Sequence, residues 1–151
     1  MSSNSVYAFI KAITNIVTFK TRFKRNDAGK TVQMHDGYKF TVFRHAIKNS
    51  EPATDPVVLC VRLHFTEKST KPSMPTLAVL GFPGFREKYW MINNWNGDFQ
   101  ALYEWDTKED AEECVNSFVM KYLKKRSVPR SIHYEIIPGI GLADHIRHLE
   151  L

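Results

Sequence analysis

GFREKYWMINNWNGDFQALYEWD, residues 84–106, reads as two β-strands joined by a tight turn. Tyr, Trp and Phe dominate it, and such side chains suit a pleated, half-buried surface. Asn96-Gly97 between two such runs is a strong hairpin signal. A three-residue loop, Trp95-Asn96-Gly97, places Lys88 opposite Glu104, Tyr89 opposite Tyr103, Trp90 opposite Leu102 and Met91 opposite Ala101. That register pairs opposite charges and aromatic rings, which cross-strand energetics favour. It gives one face of Phe85, Tyr89, Met91, Phe99, Ala101, Tyr103 and Trp105, expected to be core. The other face holds Arg86, Lys88, Trp90, Gln100, Leu102 and Glu104, too charged for a core and too aromatic for plain solvent.

Outward from the hairpin, Thr107 begins a helix with acids in its first turn and an apolar stripe from Ala111 to Leu123. Lys124, Lys125 and Arg126 close it, and Pro129 prevents continuation. Residues 131–137 form the last strand, with Ile132, Tyr134 and Ile136 facing one way and His133, Glu135 and Ile137 the other. A tail of one or two helical turns follows from Gly141. Before the hairpin, residues 56–65 alternate cleanly: Val57, Leu59, Val61, Leu63 and Phe65 against Val58, Cys60, Arg62 and His64. Pro72 and Pro75 exclude a regular helix through the middle of residues 66–83, leaving a short helix or extended segment at 74–80.

The loop NSEPATDP, residues 49–56, sets off residues 1–50 as a helix-plus-strand extension. Residues 5–23 show helical periodicity, with Val6, Phe9, Ile10, Ile13, Ile16 and Val17 on the expected packing face and a basic far end. Packing on the domain is the expected role of this helix; peripheral contact with a membrane surface is the alternative. Residues 38–47 read as a strand, residues 56–139 as the main domain and 140–151 as a tail.

From residue 56 the order is strand, short helix, strand, strand, helix, strand. This is the ferredoxin-like βαββαβ pattern of the α+β class, an antiparallel sheet with helices on one face. The 151 residues allow one globular domain, and a net charge of +5 with pI near 9.2 permits an anionic partner without demanding one. Cys60 and Cys114 lack metal-ligand spacing and read as buried thiols, consistent with a reducing, cytoplasmic setting. No apolar run is long enough to span a membrane, and the first residues do not read as a signal peptide.

The runs PGFREKYW (83–90), GDFQALYEWDTKEDAEECVNS (97–117) and SVPRSIHYEIIPG (127–139) resemble small bacterial proteins of the dimeric α/β-barrel superfamily, similar to the YdhR-type monooxygenase-like group. The resemblance covers residues 56–139 and departs at the proline-interrupted segment 66–83. It implies a homodimer with a small-molecule pocket, and in some members oxygenation of aromatic substrates without metal or flavin. No cofactor is implied.

On that basis the sheet face opposite the helices is the expected site. His64 and Arg86 are the catalytic candidates, with Arg62, Lys88, Trp90, Gln100, Glu104 and His133 around a small aromatic or anionic ligand. A structural charge network aligning the dimer, without catalysis, is the competing reading of the same residues. RNA binding is the rival class, because an RNA-recognition sheet shares the strand order. Phe99 and Tyr103 fall on the helix-packed face, and Arg62 and His64 stand where a stacking aromatic is needed, so nucleic acid is set aside. His35, His45, His145 and His148 lack a third ligand nearby, so no metal site is assigned.

Overall fold

The computed structural model describes residues 3–17, 20–67, 74–147 and 149. The chain begins with helix α1 (Ser3–Val17) and three strands, β1 (Thr21–Lys24), β2 (Thr31–Gln33) and β3 (Lys39–Lys48). Strand β4 (Val57–Leu63) is followed by the short helix α2 (Met74–Ala78) and a 3-10 turn, Val79–Gly81. The hairpin is β5 (Phe85–Ile92) and β6 (Phe99–Trp105). Helices α3 (Lys108–Val115) and α4 (Phe118–Arg126), strand β7 (His133–Pro138) and helix α5 (Leu142–Arg147) complete it.

The strands form one sheet in the order β1-β3-β5-β6-β4-β7, with β2 paired to β3. Within it β4 lies between β6 and β7, and β5 lies beyond β6, all antiparallel. This is the ferredoxin-like arrangement expected from the strand-helix order. The N-terminal strands continue the same sheet, because β3 pairs along β5. Helices α1–α4 cover one face, over Leu59, Val61, Phe85, Trp90, Tyr103 and Trp105.

Several local expectations are corrected. The first helix stops at Val17, and residues 21–24 form a strand, so Arg22 and Lys24 lie on a sheet edge instead of a helix end. The packing face of α1 is also different. Ala8 and Ala12 are buried, while Val6, Ile10 and Ile13 are exposed. The cause is Gly81: an added Cβ there would overlap the Ala8 carbonyl, so the helix approaches closely through its smallest residues. The helix expected from Thr107 to Arg126 is two helices. Thr107 caps the first, accepting from the Asp110 N–H, and Ser117 caps the second, accepting from the Val119 N–H. Residues 68–73, Pro72 among them, lie outside the described residues, and Pro75 sits in the first turn of α2, where proline is tolerated.

The hairpin register is shifted by one. Lys88 pairs with Tyr103, Tyr89 with Leu102, Trp90 with Ala101 and Met91 with Gln100. The loop holds four residues between Asn93 and Asp98. Asn93 Oδ1 accepts from the N–H groups of Trp95 and Asn96, its carbonyl accepts from Gly97, and Gly97 has φ of 79°. A side chain that satisfies two loop donors outweighs the single Lys–Glu pair that argued for the shorter loop.

Arg86 is the extra residue of a β-bulge, since Phe85 faces Trp105 and Glu87 faces Glu104. A bulge reverses the facing of everything after it. Lys88 and Trp90 therefore turn under the helices, and Tyr89 and Met91 turn to the other face, the reverse of the expected split.

Candidate functional site

The second face of the sheet is closed by the chain itself. Val58, Tyr89, Met91 and Leu102 pack with Val32 and Met34 from the β2 region and with Leu142, Ile146 and Leu149 from the tail. That apolar cover occupies the face expected to meet a second sheet.

Its charged residues are consumed in fastening that cover. Arg62 donates through Nε and Nη2 to Gln100 Oε1 at 3.2 and 3.1 Å, and through Nη1 to Asp36 at 2.5 Å. Its guanidinium also lies over the Tyr38 and Phe40 rings. This holds the turn after β2 against the sheet, and Arg62 keeps the Asp36 carboxyl below its usual range against the opposing effect of partial burial. Arg86 pairs with Glu104 at 3.2 Å and Asp106 at 2.6 Å, and also donates to the Glu51 carbonyl. The other oxygen of Glu104 accepts the Leu142 N–H at 2.7 Å, tying the start of α5 to β6. His64 pairs with Asp98 at 2.7 Å at the hairpin end of the sheet. His133 is exposed on β7, beside Arg62 in register. Of the eight expected site residues, the structure therefore joins Arg62 with Gln100 and Arg86 with Glu104. His64 and His133 stand apart, and Lys88 and Trp90 lie on the opposite face.

Sequence reading missed a further cluster. His45 is buried, with Nε2 2.6 Å from Glu87 and Nδ1 at ion-pair distance, 3.2 Å, from Asp27 without hydrogen-bond alignment. Its ring stacks on Tyr89 at 3.9 Å, and the Tyr89 hydroxyl donates to Asp27. Hydrogen bonds from Tyr89 and Lys30 outweigh partial burial and hold the Asp27 carboxyl below its usual range. The partners come from three separated segments, so no local spacing announces them. Both imidazole nitrogens face carboxylates, which suits a fastening of the β1–β2 turn to β5 more than proton transfer to a ligand. Among the described residues no group of three His, Cys, Asp or Glu side chains is arranged to hold a metal ion; His35 is exposed, His145 is buried in α5 and His148 lies outside the described residues.

Under the helices, Lys88 is 1% exposed. Its Nζ lies 4.3 Å from the Trp90 ring centroid and 4.8 Å from that of Tyr103. Among the described residues no carboxylate pairs with it. Burial, with a smaller contribution from Arg44, pulls its ammonium down to about 7. Burial likewise pushes the neighbouring Cys114 thiol up to about 12 and the Tyr103 hydroxyl well above its usual value. An amine in this setting exists in both protonation states near neutral pH, which is the condition for general acid–base work.

Rings lead from Lys88 to the surface. Tyr103 stacks on Trp105, Trp105 meets Phe82, and Phe82 meets Phe118 edge-on. Phe82 and Phe118 open on a cleft of about 800 Å³ between α1, the corner 81–83 and the α3–α4 pair. Tyr7 and Pro83 add apolar wall, Lys11 and Lys121 supply positive charge, and Asp110 and Glu113 supply negative charge. Volume and lining fall in the range of small-ligand sites. Its residues come from four segments of the chain, and only their tertiary assembly makes a cleft. No helix among the described residues is long and apolar enough to cross a membrane.

No family model matches this chain, and no curated protein matches it. Among solved structures it is similar to an anthrone oxidase-like protein, at 10% identity over 68% of this chain and with a TM-score of 0.47. The alignment spans about half of that protein, 54% of its length. The ferredoxin-like architecture rests on the strand pairing itself.

Proposed function

We propose that this chain is a homodimeric small-molecule-binding protein whose ligand is a small aromatic anion held in the cleft between α1 and α3–α4. The observation that carries this reading is the cleft's composition: Phe82, Phe118 and Tyr7 offer ring surfaces, and Lys11 and Lys121 reach in from two different helices. A flat ring against Phe82 and Phe118 gains apolar burial and edge or offset ring contacts. Its carboxylate meets the two ammonium groups, and a hydrogen-bond donor at its far end meets Glu113. Calorimetric titration with a panel of benzoate- and phenylacetate-type acids tests this. Removing both amines in K11A/K121A weakens binding roughly tenfold or more, about 1.4 kcal/mol per factor of ten. Binding that survives both K11A/K121A and F82A refutes the cleft as the site.

A second reading, oxygenase-like chemistry in the manner of the YdhR-type group, is favoured by one observation, the buried amine of Lys88 beside Trp90 and Tyr103. Lys88 does not line the cleft as it stands, so in this reading the Phe82 and Trp105 rings part to admit the substrate; the neutral amine then takes a proton from an acidic methylene or enol, and the ammonium so formed holds the substrate anion. The anion then reduces dioxygen. One oxygen atom becomes the carbonyl of the product and the other leaves as water, carrying the two hydrogens of the methylene. Oxygen uptake with enolisable aromatic ketones, lost in K88M, supports this reading, and uptake unchanged in K88M refutes it.

A further inference from the structure

The two edges of the sheet are built differently. At one, β1 is four residues long and carries Arg22 and Lys24, features that discourage strand addition. At the other, β7 is six residues long and pairs with β4 along its whole length. It holds no lysine or arginine, and among the described residues no strand lies on its outer side. Tyr134 is 57% exposed, His133 and Glu135 are exposed, and Ile136 and Ile137 are half-buried on opposite faces. An unpaired edge with an exposed aromatic and half-buried isoleucines is a template for another strand.

The sequence of that edge is complementary to itself. In an antiparallel pairing about a two-fold axis at Tyr134, each His133 comes opposite the partner's Glu135, and each Ile132 opposite the partner's Ile136. An axis at Glu135 sets carboxylate against carboxylate, and an axis at His133 sets imidazole against imidazole. An axis at Ile136 brings Pro138, which has no N–H, opposite Tyr134. The Tyr134 register alone among these gives two imidazole–carboxylate pairs and an aromatic pair together.

We propose that β7 is the strand through which two copies of this chain associate, antiparallel about Tyr134, so that one sheet runs through both. This rests on the reading of the chain as a homodimer and replaces a face-to-face contact, because the open face of the sheet is covered by Val32, Met34, Leu142, Ile146 and Leu149.

Sedimentation and light scattering of the full chain test it at several concentrations. H133E sets two carboxylate pairs across the axis and raises the dimer Kd on the order of tenfold or more. The double variant H133E/E135K sets carboxylate against ammonium in both pairs and brings Kd back towards wild type. Both positions are exposed in the single copy, so an unchanged thermal melt shows that the variants still fold. Independently, Y134C under mild oxidation links two copies through a disulfide, because directly opposed residues bring their Cα atoms about 4.5–5.5 Å apart. E135C, out of alignment with its own copy, does not. A wild-type chain that is monomeric at tens of micromolar overturns the homodimer and this contact together. A wild-type dimer indifferent to H133E and not linked by Y134C overturns the β7 contact and leaves the homodimer standing. Dimer loss in H133E with recovery in the double variant establishes it.

Discussion

Replacing Lys88 by Met stabilises the fold, and the gain disappears as pH rises. In the folded chain the Lys88 ammonium loses its proton near 7, against an ordinary value of 10.5. The difference corresponds to about 5 kcal/mol at roughly 1.36 kcal/mol per pH unit. Below pH 7 both folded and unfolded chains carry the proton, so the cost of burying the charge is constant and full. Between 7 and 10.5 the unfolded chain keeps the proton that the folded chain has released, so stability rises with pH across that window. At pH 7 the remaining cost is about 4 kcal/mol. The attraction of the Trp90 and Tyr103 rings for the ammonium is already contained in that difference. K88M therefore gains up to about 4 kcal/mol at pH 7, because the thioether keeps the aromatic contacts and removes the charge. Urea denaturation at pH 6, 7, 8 and 9, followed by circular dichroism, measures it. The Cys60 and Cys114 thiols, held up near 12 by burial, act in the opposite sense: their contribution is present below an ordinary 9 and lost as pH rises through 12. They are common to both chains and cancel in the difference. Parallel stability profiles for wild type and K88M from pH 6 to 9, or a variant that is less stable at pH 7, refute a desolvated, unpaired amine.

Two further substitutions test the fastenings. R86M leaves Glu104 with the Leu142 N–H and Asp106 with solvent, and removes a donor from the Glu51 carbonyl, so it lowers stability by about 1–2 kcal/mol in urea denaturation; a change below about 0.3 kcal/mol shows the network to be ornamental. G81A drives a methyl group into the Ala8 backbone, and α1 lifts from the turn. Amide exchange within residues 6–16 then accelerates by an order of magnitude or more, while β4 and β6 keep their protection; unchanged exchange in α1 refutes the close approach.

From residue 56 onward the order of strands was legible because it depends on local pattern, whereas the short strands β1 and β2, too brief to show a period, were not. The alternation of β4 and β6 needs only period two, and both strands face as their sequences imply. Thr107 was legible as a cap because its partner, Asp110, is three residues away. The facing of β5 was not legible. Arg86 looks like any alternating residue, and its bulge is stabilised by Glu104, Asp106 and Glu51, which lie 18, 20 and 35 positions away. The face of α1 was illegible for the same reason. Its large residues form a better stripe than Ala8 and Ala12, and only Gly81, some seventy residues on, makes the small ones the contact.

That single bulge decides what the candidate site is. Without it, the register that sets Phe85 against Trp105 would put Arg86 opposite Glu104 and Lys88 opposite Leu102 on the second face, and Tyr89 and Met91 would lie under the helices. With it, Arg86 takes Glu104 for itself, and Lys88 is carried to the side where Trp90 and Tyr103 are its neighbours and no carboxylate follows. A charge that costs several kcal/mol is thus fixed in place by backbone geometry two residues upstream, and the same geometry frees Tyr89 to stack on His45. The buried Lys88 amine follows from the extra residue in β5, and the His45–Glu87–Tyr89 cluster follows from it together with the irregularity at Phe43 in β3.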